Sequence, residues 1–159
     1  LETYWSKFEN IWFHGDYVLA DNDDLWYMQG RTDDVINVSG HRMSTAEIEH
    51  TVISHKKISD AASISIPDEL TGEAIVVFFV PENKNDSNLE IEIIDHINKK
   101  IGKIAKPKLL FQLSDLPKTR TGKIMRRLLK SKLTGKPLGD LSSLENPDVL
   151  DEIFNLNEN

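Results

Sequence analysis

The seven residues AIVVFFV, at positions 74–80, form the longest purely apolar run in this chain of 159 residues. A run of this length is too short to cross a bilayer, and Pro81 follows it directly. Apolar side chains at consecutive positions of a strand face both sides of its sheet. The run therefore predicts a central strand that is covered on both faces.

Two shorter segments complete a predicted three-stranded sheet with this strand. Residues 61–66 alternate between apolar and polar side chains, which predicts a half-exposed strand, and residues 108–113 predict a third strand. A further short strand is predicted at 34–39, ending in the flexible pair Ser39-Gly40. The turn-forming residues 21–24 separate two short runs in the aromatic-rich first 30 residues, which predicts a β-hairpin.

Helix signals lie between and after these strands. The segments 44–47 (STAE) and 87–90 (SNLE) are capping boxes, and an amphipathic pattern follows each of them. A basic helix is predicted after Lys123. Four basic side chains of this helix are expected to be solvated: Arg126, Arg127, Lys130 and Lys132. A short last helix is predicted after the segment 146–148 (NPD). Helices and strands in this arrangement predict an α+β fold, with the β-hairpin in front.

Composition restricts the function classes. The net charge is −7 and there is no cysteine, which excludes disulfides, thiolate metal sites and cysteine nucleophiles and fits a cytoplasmic protein. Between Lys99 and Lys136 there are 13 Lys and Arg residues and one acid, Asp115. That segment predicts a cationic surface for an anionic partner. It matches no nucleic-acid-binding pattern, so we expect small-molecule phosphates, with no nucleic acid and no membrane as partners.

Three loop segments combine glycine with cations or carboxylates. They are GRTDD at 30–34, SGHR at 39–42 and PKTRTGK at 117–123, where the last lysine is expected at the mouth of the basic helix. A helix N-terminus with a lysine can hold an anionic oxygen, and arginine can bind phosphate through two N–H groups. Together the three segments predict phosphate handling by a mobile element.

The same segments carry a family resemblance. With WFHGD at 12–16, and extended to 30–42 and 117–127, they resemble the C-terminal part of the AMP-forming acyl-CoA synthetases, within the adenylate-forming superfamily, and most narrowly the acetyl type. The resemblance covers nearly the whole chain, and with Leu1 as first residue we expect a fragment of a longer protein. It implies a remnant of a large N-terminal domain with the β-hairpin (1–32), a hinge (33–34), a small mobile C-terminal domain (35–135) and a tail with a short helix (136–159).

The resemblance also implies roles for residues at the nucleotide. Lys123 matches the catalytic lysine that bridges the substrate carboxylate and the α-phosphate. Asp16 matches the aspartate that bonds the ATP ribose, Arg31 lies beside the ribose and phosphate, and Arg42 matches an arginine that contacts phosphate. Asp33 matches the hinge residue about which the small domain turns.

A second set of implied roles concerns CoA and a cation. The pantetheine arm of CoA is expected to face Ser39, Gly40 and His41. Members of the acetyl type also bind a cation through backbone oxygens near the positions of Ile53, His55 and Ile58. Asn98 departs from the pattern, because an arginine that contacts a CoA phosphate is expected there, and Lys99 or Lys100 is the alternative.

The implied activity is that of an acetate–CoA ligase. Acetate, ATP with Mg²⁺, and CoA give acetyl-CoA, AMP and pyrophosphate through acetyl-adenylate, and the fragment alone is expected to be inactive. The missing N-terminal domain is an implied partner, as are a lysine acetyltransferase and a deacetylase. Two alternatives stay open: another short-chain enzyme of the propionyl type, and a non-enzymatic module that binds anions or nucleic acid.

Overall fold

An antiparallel pair of long strands forms the centre of the main sheet. Strands β5 (Ile58–Asp68) and β6 (Gly72–Pro81) pair along nearly their full length, with Ala61 opposite Phe79. The computed structural model describes residues 5, 8–31, 34–83 and 88–155. Positions 74–79 of β6 are all buried. The apolar run is therefore the central strand that the sequence predicts.

Three further strands extend this sheet. β3 (Val35–Val38) and β4 (His41–Ser44) form a hairpin that joins β6 through β3, and β7 (Leu109–Gln112) runs parallel to β6. The α+β class is confirmed, but the predicted strand number is wrong. The described residues form a sheet of five strands in the order β4-β3-β6-β5, with β7 also on β6. The residues of β4 show no strand pattern of their own. A two-residue turn folds them back onto β3.

Helices cover both faces of the sheet. Val77 and Phe79 of β6 pack in one cluster with α1 (Thr45–Ile53) and α2 (Leu89–Lys100), whereas Val76 and Phe78 pack in another with α3 (Arg126–Leu133) and α4 (Val149–Phe154). Because both faces are covered, residues 61–65 of β5 are buried too. The prediction of a half-exposed strand at 61–66 is therefore wrong.

Local interactions set the helix ends. Ser44 is the N-cap of α1, as predicted, and its Oγ accepts the Ala46 N–H at 3.2 Å. The N-cap of α2 is Asn88, and the predicted cap Ser87 lies outside the described residues. Gly102 follows α2 with a φ of +123°, a region that favours glycine. Among the described residues, no helix has the length and apolar character needed to span a membrane.

The predicted front hairpin is confirmed and forms a separate two-stranded sheet. Its strands are β1 (Asp16–Ala20) and β2 (Trp26–Arg31). Asp21 closes the turn: its Oδ1 accepts the N–H groups of Asp23 and Leu25, at 2.9 and 3.0 Å. The bond from Leu25, with the hydroxyl bond from Tyr27, lowers the pKa of Asp21. Several large apolar side chains of the hairpin are exposed: Val18, Leu19, Leu25, Trp26 and Met28.

The packing of α4 predicts a measurable contribution from the tail. Ile153 is 1% exposed in the cluster beneath α3 and α4, so Ile153→Ala should lower the free energy of unfolding by about 2–5 kcal/mol, because it leaves a cavity. Leu70→Ala is the control, since Leu70 is 95% exposed and its truncation should cost less than about 0.5 kcal/mol. Urea unfolding of the 159-residue chain measures both, and equal effects would contradict the assigned packing.

Candidate active site

Backbone hydrogen bonds close the segment 117–123, called here the basic loop, which contains Lys123. The Thr119 N–H donates to the Lys123 carbonyl at 2.9 Å, and the Gly122 N–H donates to the Thr119 carbonyl at 2.8 Å. The Lys123 N–H in turn donates to Thr119 Oγ1 at 3.1 Å. These bonds close the loop into a tight turn. The side chain of Lys123 is exposed on it.

Lys123 precedes α3 instead of standing at the mouth of the helix. The helix begins at Arg126 after the N-cap Met125, whose N–H donates to the Pro117 carbonyl at 2.7 Å. The predicted position of the lysine at the helix mouth is therefore wrong. Lys123 instead lines an open depression of about 470 Å³, together with Asp34 and the arginines of the first turn.

An ion pair joins the first turn of α3 to α1. Arg126 Nε and Nη2 donate to Glu49 Oε1 and Oε2 at 2.8 and 2.6 Å. Glu49 is only 7% exposed, and its Oε1 also accepts the Ser63 N–H at 2.7 Å. The hydrogen bonds from Arg126 to Glu49 raise the pKa of the arginine. Arg126 is thus not the solvated cation that the sequence predicts.

The two residues between β3 and β4 form a turn with positive φ at both positions. Ser39 has a φ of +50° and Gly40 a φ of +85°, the values of a type I′ turn. The Ser39 N–H donates to the Thr71 carbonyl at 2.9 Å, and the Asn37 N–H donates to Glu73 Oε2 at 2.6 Å. The first bond ties the turn to the β5–β6 connection, and the second ties β3 to β6. Ser39, Gly40 and the following His41 are exposed.

β3 separates the basic loop from this turn. Asp34 directly precedes β3 and shares the depression with Lys123, whereas Ser39 directly follows β3. A strand of four residues is about 13 Å long. The predicted catalytic loop and the predicted CoA-facing turn therefore lie at opposite ends of one short strand.

The structure brings together two of the three residues predicted at the nucleotide. Asp16 and Arg31 are paired positions of the β1–β2 hairpin, and the Asp16 carboxylate contacts His14 Nδ1. Arg42 is exposed on β4 and lines a different cavity, of about 1070 Å³, that also contacts the hairpin. Asp33 lies outside the described residues, so the hinge stays a prediction.

The predicted cation ligands lie in the connection from α1 to β5. Ile53 ends α1, Ile58 begins β5, and the His55 carbonyl between them accepts the Ile58 N–H at 2.9 Å. Within residues 5, 8–31, 34–83 and 88–155, no three or more His, Asp or Glu side chains are grouped to hold a metal ion. This cation site stays a prediction that depends on main-chain oxygens alone.

The contact to a CoA phosphate that is expected near Asn98 also stays a prediction. The Asn98 Oδ1 is buried and has no hydrogen-bond partner within the described part of the chain. Lys99 and Lys100 follow it on α2, and both are exposed.

This fold is that of a domain of adenylate-forming ligases. The solved structure of the anthranilate CoA ligase AuaEII in complex with anthranoyl-AMP matches with a TM-score of 0.67 and 30% identity, over 79% of this chain and 24% of that chain. The ATP-bound chimera RpMatB-BxBclM B3 matches with a TM-score of 0.74 at 21% identity, over 82% of this chain and 26% of that chain.

Sequence comparison narrows the class further. The model of the family described as the AMP-binding enzyme C-terminal domain matches residues 47–123 of the chain. The chain is 41% identical over 154 residues to an acetyl-coenzyme A synthetase of Methanothrix thermoacetophila, and 45% identical over 157 residues to one of Streptomyces avermitilis. Each match covers 96% of this chain but only 23% and 24% of the relative, so the chain spans about a quarter of their length.

The Glu49–Arg126 pair generates a stability prediction. Arg126→Met leaves Glu49 buried without its counter-ion and should lower the free energy of unfolding by about 3–5 kcal/mol. The double variant Glu49→Gln/Arg126→Met removes both charges but keeps an oxygen for the Ser63 N–H, and it should recover most of that loss. Denaturant unfolding of the two variants measures the difference. A double variant as unstable as the single one would contradict the assigned pairing.

Proposed function

We propose that this chain is the C-terminal part of an AMP-forming acetate–CoA ligase. The reaction converts acetate, ATP and CoA into acetyl-CoA, AMP and pyrophosphate through acetyl-adenylate. One observation carries the proposal: a chain that is 41% and 45% identical to two acetyl-coenzyme A synthetases holds its basic loop and its Ser39–Gly40 turn at opposite ends of β3. The two half-reactions would each use one end.

In the first half-reaction an acetate oxygen attacks the α-phosphorus of ATP and pyrophosphate leaves. Lys123 would place its ammonium group between the acetate carboxylate and the α-phosphate, where it opposes the repulsion of two anions and stabilises charge in the transition state. Asp16 and Arg31 would hold the ribose, and Arg42 a phosphate. Mg²⁺ would enter with ATP as its counter-ion. The chemistry needs no protein nucleophile, so positioning and charge supply the rate enhancement.

In the second half-reaction the CoA thiol attacks the acetyl carbonyl and AMP leaves. The exposed turn at Ser39, Gly40 and His41 would contact the pantetheine arm. A Cβ atom added to Gly40 would meet nothing within 4 Å, so the space above the turn is open to an extended ligand. Since the turn and the basic loop lie at opposite ends of β3, the domain would have to turn between the half-reactions, with Asp33 as the proposed hinge.

The pairing of the cations favours this enzymatic interpretation over a nucleic-acid-binding module. Several basic residues of the segment 99–136 already bind acids of the chain itself, as in the pairs Lys108–Asp68, Lys118–Asp60 and Arg126–Glu49. The charge of these three cations is therefore largely neutralised within the chain. Lys123 is exposed on its turn and stays available to a small anionic ligand.

Replacement of Lys123 tests the first half-reaction. In the full-length ligase, Lys123→Ala should slow acetate-dependent ATP–pyrophosphate exchange by about 10²–10³-fold, because a charge that acts in the transition state is lost. Consumption of preformed acetyl-adenylate by CoA should stay near normal. Lys136→Ala, a change of another exposed lysine, is the control. Acetylation of Lys123 by a lysine acetyltransferase removes the same charge and should act alike. Equal losses in both half-reactions would exclude the assigned role of Lys123.

The same exchange assay distinguishes the alternative substrate. If the ligase prefers propionate to acetate, it is an enzyme of the propionyl type.

Replacement of Gly40 tests the second half-reaction. Gly40→Leu should reduce CoA-dependent consumption of acetyl-adenylate while pyrophosphate exchange survives, because the new side chain blocks the path of the pantetheine arm. Positive φ strains any L residue there, so Gly135→Leu serves as the matched control: Gly135 has a φ of +66° and is also in open space. Loss of exchange with intact acetyl transfer would show that the turn has another role.

A further inference from the structure

The segment 138–146, which follows α3, contacts the base of the basic loop. The Glu145 N–H donates to the Lys118 carbonyl at 2.9 Å, and Thr119 pairs with Leu144 in an antiparallel bridge. Lys118 also pairs with Ile124 across the loop. Residues 118–119, the first part of the loop, therefore lie between the segment 144–146 on one side and residues 123–124 on the other.

Asn146 is the side chain that fixes this contact. Its Oδ1 accepts the Lys118 N–H at 3.0 Å. Its Nδ2 donates to Asp115 Oδ2 at 2.9 Å and to the Leu116 carbonyl at 2.8 Å. One half-buried amide thus bonds three residues on the chain that leads into the loop, and its donors and acceptor all have partners.

The side chain of Lys118 connects the same base to the main sheet. Its Nζ lies 2.8 Å from Asp60 Oδ2, on β5, and 2.9 Å from Asp115 Oδ1. Burial by itself would raise the pKa of Asp115, but hydrogen bonds from Lys118 and Leu116 outweigh it and keep that pKa below the ordinary value. The carboxylate is therefore ionised at neutral pH and accepts bonds from both Lys118 and Asn146.

The other end of the segment is attached to α3. Arg127 donates to the carbonyl groups of Leu138 and Asp140, and the Asp140 carboxylate accepts the N–H and hydroxyl of Ser142, at 2.9 and 3.0 Å. Ser143 lines the same depression as Lys123. The segment therefore connects the first turn of α3 to the base of the loop and borders the depression between them.

From these contacts we infer that Asn146 is a positioning residue for Lys123, an inference that rests on the proposed function. The hydrogen bonds inside the loop hold its two ends together. Asn146 and Lys118 instead fix the position of the loop relative to the sheet. Asn146 bonds the backbone of Lys118, and Lys118 pairs with Ile124, the residue that follows Lys123. Misplacement of a reacting group by about 1 Å can cost up to about 10²-fold in rate.

The experiment compares variants of Asn146 in the full-length ligase. Asn146→Ala should slow acetate-dependent pyrophosphate exchange by about 10–10²-fold, mainly in kcat, and leave consumption of preformed acetyl-adenylate by CoA nearly unchanged. Asn83→Ala, a change of an exposed asparagine, is the control and should alter neither rate.

An exchange of the two side chains separates positioning from general destabilisation. Asn146→Asp places two carboxylates together and leaves the Leu116 carbonyl without its donor, so it should slow exchange. Asp115→Asn/Asn146→Asp restores a donor opposite an acceptor between positions 115 and 146, but not at Leu116, and should recover part of the rate. This arm decides the outcome even if Asn146→Ala does not fold. Equal losses in both half-reactions, or a double variant no faster than Asn146→Asp, would overturn the inference. A wild-type ligase without acetate-dependent exchange would instead overturn the proposed function.

Discussion

Burial of β6 on both faces dictates how the other elements of the domain are arranged. Six consecutive positions, 74–79, are buried, and the side chains at 75–79 alternate between two apolar clusters. Exposure of either set would cost about 1.5–3 kcal/mol for each large side chain, so each face of the sheet needs its own helical layer. The strand thus requires α1 and α2 on one side and α3 and α4 on the other. The basic loop leads directly into α3, and the Ser39–Gly40 turn lies one short strand before α1.

The exposed segments of the candidate site are attached to buried elements. Lys123 lies on a turn closed by its own backbone, two residues before the N-cap of α3. The first residue of that helix binds Glu49, which in turn accepts a hydrogen bond from β5. Gly40 lies on a turn tied to the β5–β6 connection through Thr71. Exposed groups can be placed accurately when the backbone that carries them is anchored in this way.

Some cations of the segment 99–136 stabilise the structure, and Lys123 has a proposed role in the reaction. Lys118, Arg126 and Arg127 bind carboxylates or carbonyl groups of the chain, and each of these contacts holds a segment next to the basic loop. The Lys118–Asp60 and Arg126–Glu49 ion pairs are partly shielded from water. Shielding strengthens an ion pair but leaves a costly buried charge when one partner is lost. Lys123, in contrast, is exposed beside an open depression. A high local density of cations therefore supports both a rigid base and an exposed ammonium group at Lys123.

Local signals in the sequence were enough to predict the α+β class, the central strand, the front hairpin and the N-cap at Ser44, because periodicity, turn residues and caps act between near neighbours. They also located the segments that carry the proposed chemistry, since each is a contiguous motif. Glu49 gave a weak further signal, as an acid beside Ile48 on the apolar side of a predicted helix. Tertiary contacts alone decided that Arg126 pairs with Glu49, 77 positions away, that Asn146 bonds Lys118, 28 positions away, and that the sheet has five strands. The physical reason is that each of these interactions joins residues far apart in the chain, and neither partner carries a local pattern that identifies the other.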